Sequence, residues 1–113
     1  MISAKYSISE KVFMLKGKKY KAVDYSEAPW EKGIYDIGIP DYPHGSNNTY
    51  TEAIKQKVWF PINFENARYL HVGARSVGCM TIIETTRWTE IYSALIKARK
   101  GDFKNVGVLK VID

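Results

Sequence analysis

A single cysteine among 113 residues excludes an intrachain disulfide framework, so any core must hold by burial. It leaves the redox compartment open, because an exported protein can also do without disulfides. No apolar run approaches the roughly 20 residues that span a bilayer, so no membrane span is expected. The N-terminus lacks a charged segment followed by an apolar one, so a secretory leader is not expected. Export would then need a route without a cleaved leader, or a leader already removed. Only two histidines are present, and no close-spaced ligand pair of the CxxC or HExxH kind occurs. Cys79, His71 and His44 together could offer a zinc ion three ligands at most, and no metal is expected. Repeats and low-complexity segments are also missing.

What remains describes an ordinary globular chain, 45% hydrophobic and 26% charged, read as one domain over residues 1–113. Residues 11–15, 18–24 and 33–38 read as strands, as do 57–60 (stopped by Pro61), 68–72 and 79–83. The stretch from Pro40 to Asn48 is dense in turn formers and reads as a loop. One helix is expected, over about residues 87–100. Trp88, Ile91, Tyr92 and Leu95 fall on one stripe. Thr85 or Thr86 is the candidate N-cap and Gly101 the C′ residue. Many short strands and one late helix predict a mostly β fold, a sandwich or open barrel with the helix packed on it.

The chemistry concentrates in residues 68–83. Cys79 is a nucleophile as its thiolate, and His71 can take its proton. Two strands joined by a connection with Gly73 and Gly78 near its ends read as a hairpin centred on Arg75. That hairpin sets His71 opposite Cys79, with Cβ atoms about 4.5–5.5 Å apart. Tyr69 then faces Thr81, and Leu70 and Met80 point to the core. A slip by one residue would separate the pair. The plain alternative is a buried cysteine packed as a small hydrophobe.

Ser76-Val77-Gly78-Cys79-Met80 after His71 resembles the catalytic signature of the L,D-transpeptidase catalytic-domain (YkuD-like) family. Supporting segments occur in order: an opening hairpin from Val12, Ala28-Pro29-Trp30 to Gly33 and Tyr35, a late helix and a closing strand from Gly107. The separation of His71 and Cys79 is similar to the compact branch found among type VI secretion effectors. The resemblance implies cysteine-dependent acyl transfer on peptidoglycan stem peptides through a Cys79 thioester, with no cofactor. The acceptor, an amine or water, decides between cross-linking, D-amino-acid exchange and carboxypeptidase action. His71 is then the base, and Gly78 and Cys79 supply backbone N–H groups to the oxyanion. Ser76 holds the loop or orients His71. His44, Arg75 and Tyr69 are candidate substrate contacts, although His44 reads equally, and Arg75 slightly more readily, as a solvated side chain. A cell-envelope location is implied, and an effector would carry an immunity protein as partner.

Two other classes follow from particular residues. Most family members have histidine where this chain has Val77, and Arg or Asn where it has Thr81. That favours a catalytically silent peptidoglycan-binding domain as the first alternative. The +5 charge, with Lys16, Lys18, Lys19 and Lys21 around Tyr20, suggests a nucleic-acid-binding β domain as the second. The same lysines read more simply as the solvent face of a hairpin, and no nucleic acid is expected.

Overall fold

Apolar and polar residues alternate from the start of the chain, as in a half-buried strand. β1 (Ile2–Ser7) buries Ala4 and Tyr6 and exposes Ser3 and Lys5. The sequence reading missed it and began its strands at residue 11. The computed structural model describes residues 2–25, 27, 29–40, 58–63, 68–73, 78–98 and 104–113. β2 (Val12–Leu15) and β3 (Lys18–Val23) form the expected hairpin, turning at Lys16 and Gly17 with φ of 51° and 76°. Phe13 and Tyr20 are paired across it, and both are buried. Lys18, Lys19 and Lys21 are exposed while Tyr20 is only 3% exposed. The lysines thus form a solvent face, and Tyr20 offers no stacking platform to a base.

β4 (Gly33–Gly38) lies antiparallel to β8 (Asn105–Ile112), which runs parallel to β1. At the start of that parallel joint Gly107 sits beside Ile2. A Cβ at Gly107 would lie 2.4 Å from the Ile2 carbonyl oxygen, so only glycine lets these backbones meet. The second half of the sheet is built from short pieces: β5 (Phe60–Pro61), β6 (Tyr69–Val72) and β7 (Met80–Ile82). The strand order is β4-β8-β1-β2-β3-β7-β6-β5. The two ends of that order approach each other. Ile37 bridges to Ile62, the Asn63 amide donates to the Asp36 carbonyl at 2.9 Å, and the Asp36 amide donates to Asn63 Oδ1 at 2.8 Å. The sheet therefore nearly closes into a barrel, as expected of a mostly β chain with one helix.

The strand expected at 57–60 is corrected. It comprises Phe60 and Pro61, with Lys57 outside the described residues. Pro61 does not stop it. The Ile62 amide donates to the Arg68 carbonyl at 3.0 Å, so the intervening residue turns its nitrogen away from β6, where a proline costs no ladder bond.

The helix is α1 (Trp88–Lys97), entered through a 3-10 turn at Thr85–Arg87. Trp88, Ile91 and Leu95 are buried, as the stripe predicts. Neither Thr85 nor Thr86 caps it, and no side-chain cap is present at either start. Instead the helix start is fastened to β3. Arg87 donates to the Lys19 carbonyl at 2.9 Å and lies 4.1 Å over the Tyr20 ring, and Tyr20 donates to Glu90 at 3.0 Å. The described helix ends at Lys97 with Ala98 as C-cap, earlier than the Gly101 stop expected, and Gly101 lies outside the described residues. Phe60 meets Trp88 and Tyr92 at 6.0 and 6.3 Å between ring centres, joining α1 to β5. Among the described residues no helix is long and apolar enough to cross a membrane.

Candidate active site

β6 and β7 are adjacent, but they run parallel, with Leu70 beside Met80, His71 beside Thr81 and Val72 beside Ile82. The hairpin expected around Arg75 is therefore corrected, and with it the placing of His71 opposite Cys79 and of Tyr69 opposite Thr81. The direction of β7 is set by β3, to which it pairs antiparallel through Ala22 with Ile82 and Val23 with Thr81. A parallel pair usually needs a crossover of about a dozen residues. Here residues 73–79 suffice, because each strand is only about 10–13 Å long and seven residues can reach about 23 Å.

The two registers share a parity, and that preserves the chemistry-bearing face. Extending the observed ladder by one residue sets Cys79 level with Tyr69, two residues from the His71–Thr81 pair. His71, Thr81, Tyr69 and Cys79 then share a face, with His71 and Cys79 diagonal neighbours. Such diagonal pairs lie about 7–8 Å apart, within reach of an imidazole. Leu70, Met80 and Ile82 fill the opposite face and are fully buried.

His71 is 8% exposed, and its ring is fixed on three sides. Trp59 stacks on it, with centroids 4.2 Å apart and planes 20° from parallel. Nδ1 lies 3.0 Å from the Val72 carbonyl oxygen, which can only accept, so Nδ1 carries the hydrogen. In the neutral imidazole Nε2 is then the basic nitrogen. The Thr81 hydroxyl lies 3.3 Å from it and donates. Thr81 thus touches the histidine directly.

Cys79 is half-buried. Burial pushes its thiol pKa up, opposed by the Tyr69 amide donating to the sulfur and by the charge of Arg68. The resting sulfur is accordingly a protonated thiol near neutral pH. Gly78, immediately before it, has φ of +139°, a backbone angle that side-chain-bearing residues rarely adopt. A Cβ there would meet nothing within 4 Å, so the need for glycine is conformational and not spatial.

The peptide joining Gly78 and Cys79 is held by a residue that sequence reasoning did not assign to the site. Trp30 Nε1 donates to the Gly78 carbonyl at 3.0 Å. A trans peptide directs its C=O and N–H to opposite sides, so anchoring the carbonyl also aims the Cys79 amide. Trp30 is anchored in turn. Its own amide donates to Asp24 at 3.2 Å, and Asp24 accepts from the Tyr6 hydroxyl at 2.9 Å. Burial, then the hydrogen bond to Asp24, raises the Tyr6 pKa, so this phenol stays a donor at any physiological pH. The Arg68 guanidinium lies 5.2 Å over the Trp30 ring. Only one signal in the sequence could have pointed to Trp30: a buried indole N–H must find an acceptor.

Tyr69 is 6% exposed and stands edge-on to Trp59 at 5.7 Å. Ser76, Arg75 and His44 lie outside the described residues. Among the described residues no three His, Cys, Asp or Glu side chains gather as a metal site.

The comparison with solved structures is decisive for the fold. The crystal structure of Mycobacterium tuberculosis L,D-transpeptidase 1 aligns with 99% of this chain at a TM-score of 0.64 and 12% identity. This is an L,D-transpeptidase-like fold. The chain spans 61% of the length of that structure. No family model matches the sequence. No curated protein matches it either.

Proposed function

We propose that this protein is a cysteine acyltransferase of the L,D-transpeptidase type, acting on peptidoglycan stem peptides. The observation that carries the reading is His71, held with Nε2 basic on β6 in this fold, with Cys79 immediately before the neighbouring strand β7.

The substrate amide carbonyl is attacked by the Cys79 sulfur as the Thr81 hydroxyl gives up its bond to His71 Nε2 and the thiol proton passes to that nitrogen. Because burial raises the thiol pKa, a base must take its proton for the sulfur to attack, and that role is proposed for His71. The carbonyl oxygen becomes an oxyanion, received by the Cys79 N–H, which the Trp30 anchor orients, and by the Gly78 N–H. Collapse breaks the amide C–N bond, and the amine leaves with the proton from His71, giving a thioester on Cys79. An incoming amine or water then attacks the thioester and restores the thiol. Ser76, Arg75 and His44 are proposed as further residues of the site. Tyr69 contributes its amide to the sulfur and its ring to the wall. An envelope location goes with this substrate. The compact-branch effector role, with an immunity protein as partner, rests on the eight-residue spacing from His71 to Cys79.

The test is mass spectrometry of peptidoglycan tetrapeptide fragments incubated with the protein. Loss of the terminal residue or a new cross-link is expected with wild type. No change is expected with Cys79→Ala, and His71→Ala should be slower by at least ~10²-fold. Unchanged fragments with the wild type would reject the enzyme. The second reading, a silent peptidoglycan-binding domain, is favoured by the raised Cys79 pKa. It predicts pull-down by insoluble peptidoglycan without any change in the fragments.

A further inference from the structure

The outer face of the long-strand half carries an unusual row. Across β4, β8, β1 and β2 it reads Ile34, Lys110, Lys5, Met14, each beside the next in register. With Val108 and Lys16 these residues line an open groove of about 480 Å³. Ile34 is 73% exposed. Lys110 and Lys5 are side-by-side neighbours on strands about 4.8 Å apart, where like charges repel.

Nothing within the fold offsets that repulsion. Among the described residues no acid lines the groove, and no ion pair reaches Lys5, Lys16 or Lys110. Asp36, across from Val108, stands outside the lining. Elsewhere three lysines are paired, Lys11 with Asp24, Lys18 with Glu90 and Lys32 with Asp113, and the other described lysines do not stand side by side on neighbouring strands as Lys5 and Lys110 do. Local conflicts of this kind, left uncompensated, concentrate where function requires them.

We propose that this groove docks an acidic polypeptide segment in which carboxylates are flanked by apolar side chains. The charge and the order of the row set the partner. Two cations sit in the middle with Ile34 on one side and Met14 on the other, over a span of about 14 Å. Carboxylates on the partner neutralise Lys110 and Lys5 while its apolar side chains cover Ile34 and Met14. A single anionic headgroup would need cations converging on one rim. Nucleic acid is disfavoured because no aromatic ring lines the groove for base stacking. The proposal is independent of the acyl-transfer reading, since neither His71 nor Cys79 lies on these strands.

The test uses the full chain, 15N-labelled, titrated with a soluble peptide of repeated Leu-Glu-Glu-Leu. Amide shifts confined to β1, β2, β4 and β8 are expected, and Cys79→Ala should bind equally. The double variant Lys5→Glu with Lys110→Glu should bind at least tenfold more weakly and should instead take up a Leu-Lys-Lys-Leu peptide. Lys110→Glu alone should raise Tm, because it turns the like-charge pair into an opposite-charge one. The proposal is overturned if the peptide leaves these strands unperturbed. It is equally overturned if phosphatidylglycerol vesicles or self-association perturb them in the peptide's place, or if the charge-reversed variant keeps its affinity.

Discussion

The barrel has two unlike halves. From β4 through β8, β1, β2 and β3 the strands are four to eight residues long, and one face alternates out to solvent. From β7 through β6 to β5 they are two to four residues long, and every residue of all three is buried. The first half is held by its own ladders. The second is held by what covers it: Leu70, Met80 and Ile82 on the core side, and on the other Trp59, stacked on the histidine with Tyr69 edge-on to it. Short strands buried on both faces cannot flex independently, which suits side chains that must keep one geometry. The long half supplies a rigid frame whose outer face is left for other uses.

Substitutions can sharpen that contrast. The largest effect on stability is expected in the frame. Gly107→Ala drives a Cβ into the Ile2 backbone at 2.4 Å and should cost about 3 kcal/mol, read by chemical denaturation. Gly78→Ala meets no atom and carries only backbone strain, about 1–3 kcal/mol, but should also slow any turnover by moving Cys79. A Gly78→Ala variant as active as wild type would show that this peptide need not be held. Smaller still is Trp30→Phe, which keeps a ring but loses the bond to the Gly78 carbonyl. It should cost about 1 kcal/mol in stability and lower kcat more than it raises KM. Equal changes in kcat and KM would make Trp30 purely structural.

The gentlest probe changes no residue. Because burial raises the Cys79 pKa, its iodoacetamide alkylation rate should still be climbing where a free thiol, with pKa near ~8.5, levels off. A plateau below that pH would mean that a resting thiolate exists and that His71 need not act during attack.

The sequence alone was enough for the hairpin of β2 and β3, the strand of β4, the buried stripe of α1 and the mostly β class. Each depends on near neighbours, through period-2 alternation, the Lys16–Gly17 turn or the 3.6-residue stripe. It also singled out His71, Gly78 and Cys79 as candidates, but it set His71 directly opposite Cys79, where the parallel ladder puts Thr81 instead. Tertiary structure decided the rest. The direction of β7 comes from its pairing with β3, some sixty residues away, so a local hairpin rule chose wrongly. Thr85 and Thr86 gave way as caps because Arg87 and Glu90 tie the helix start to β3 instead. Trp30 reaches Gly78 across 48 residues, and only closure of the barrel brings that indole to the peptide it holds.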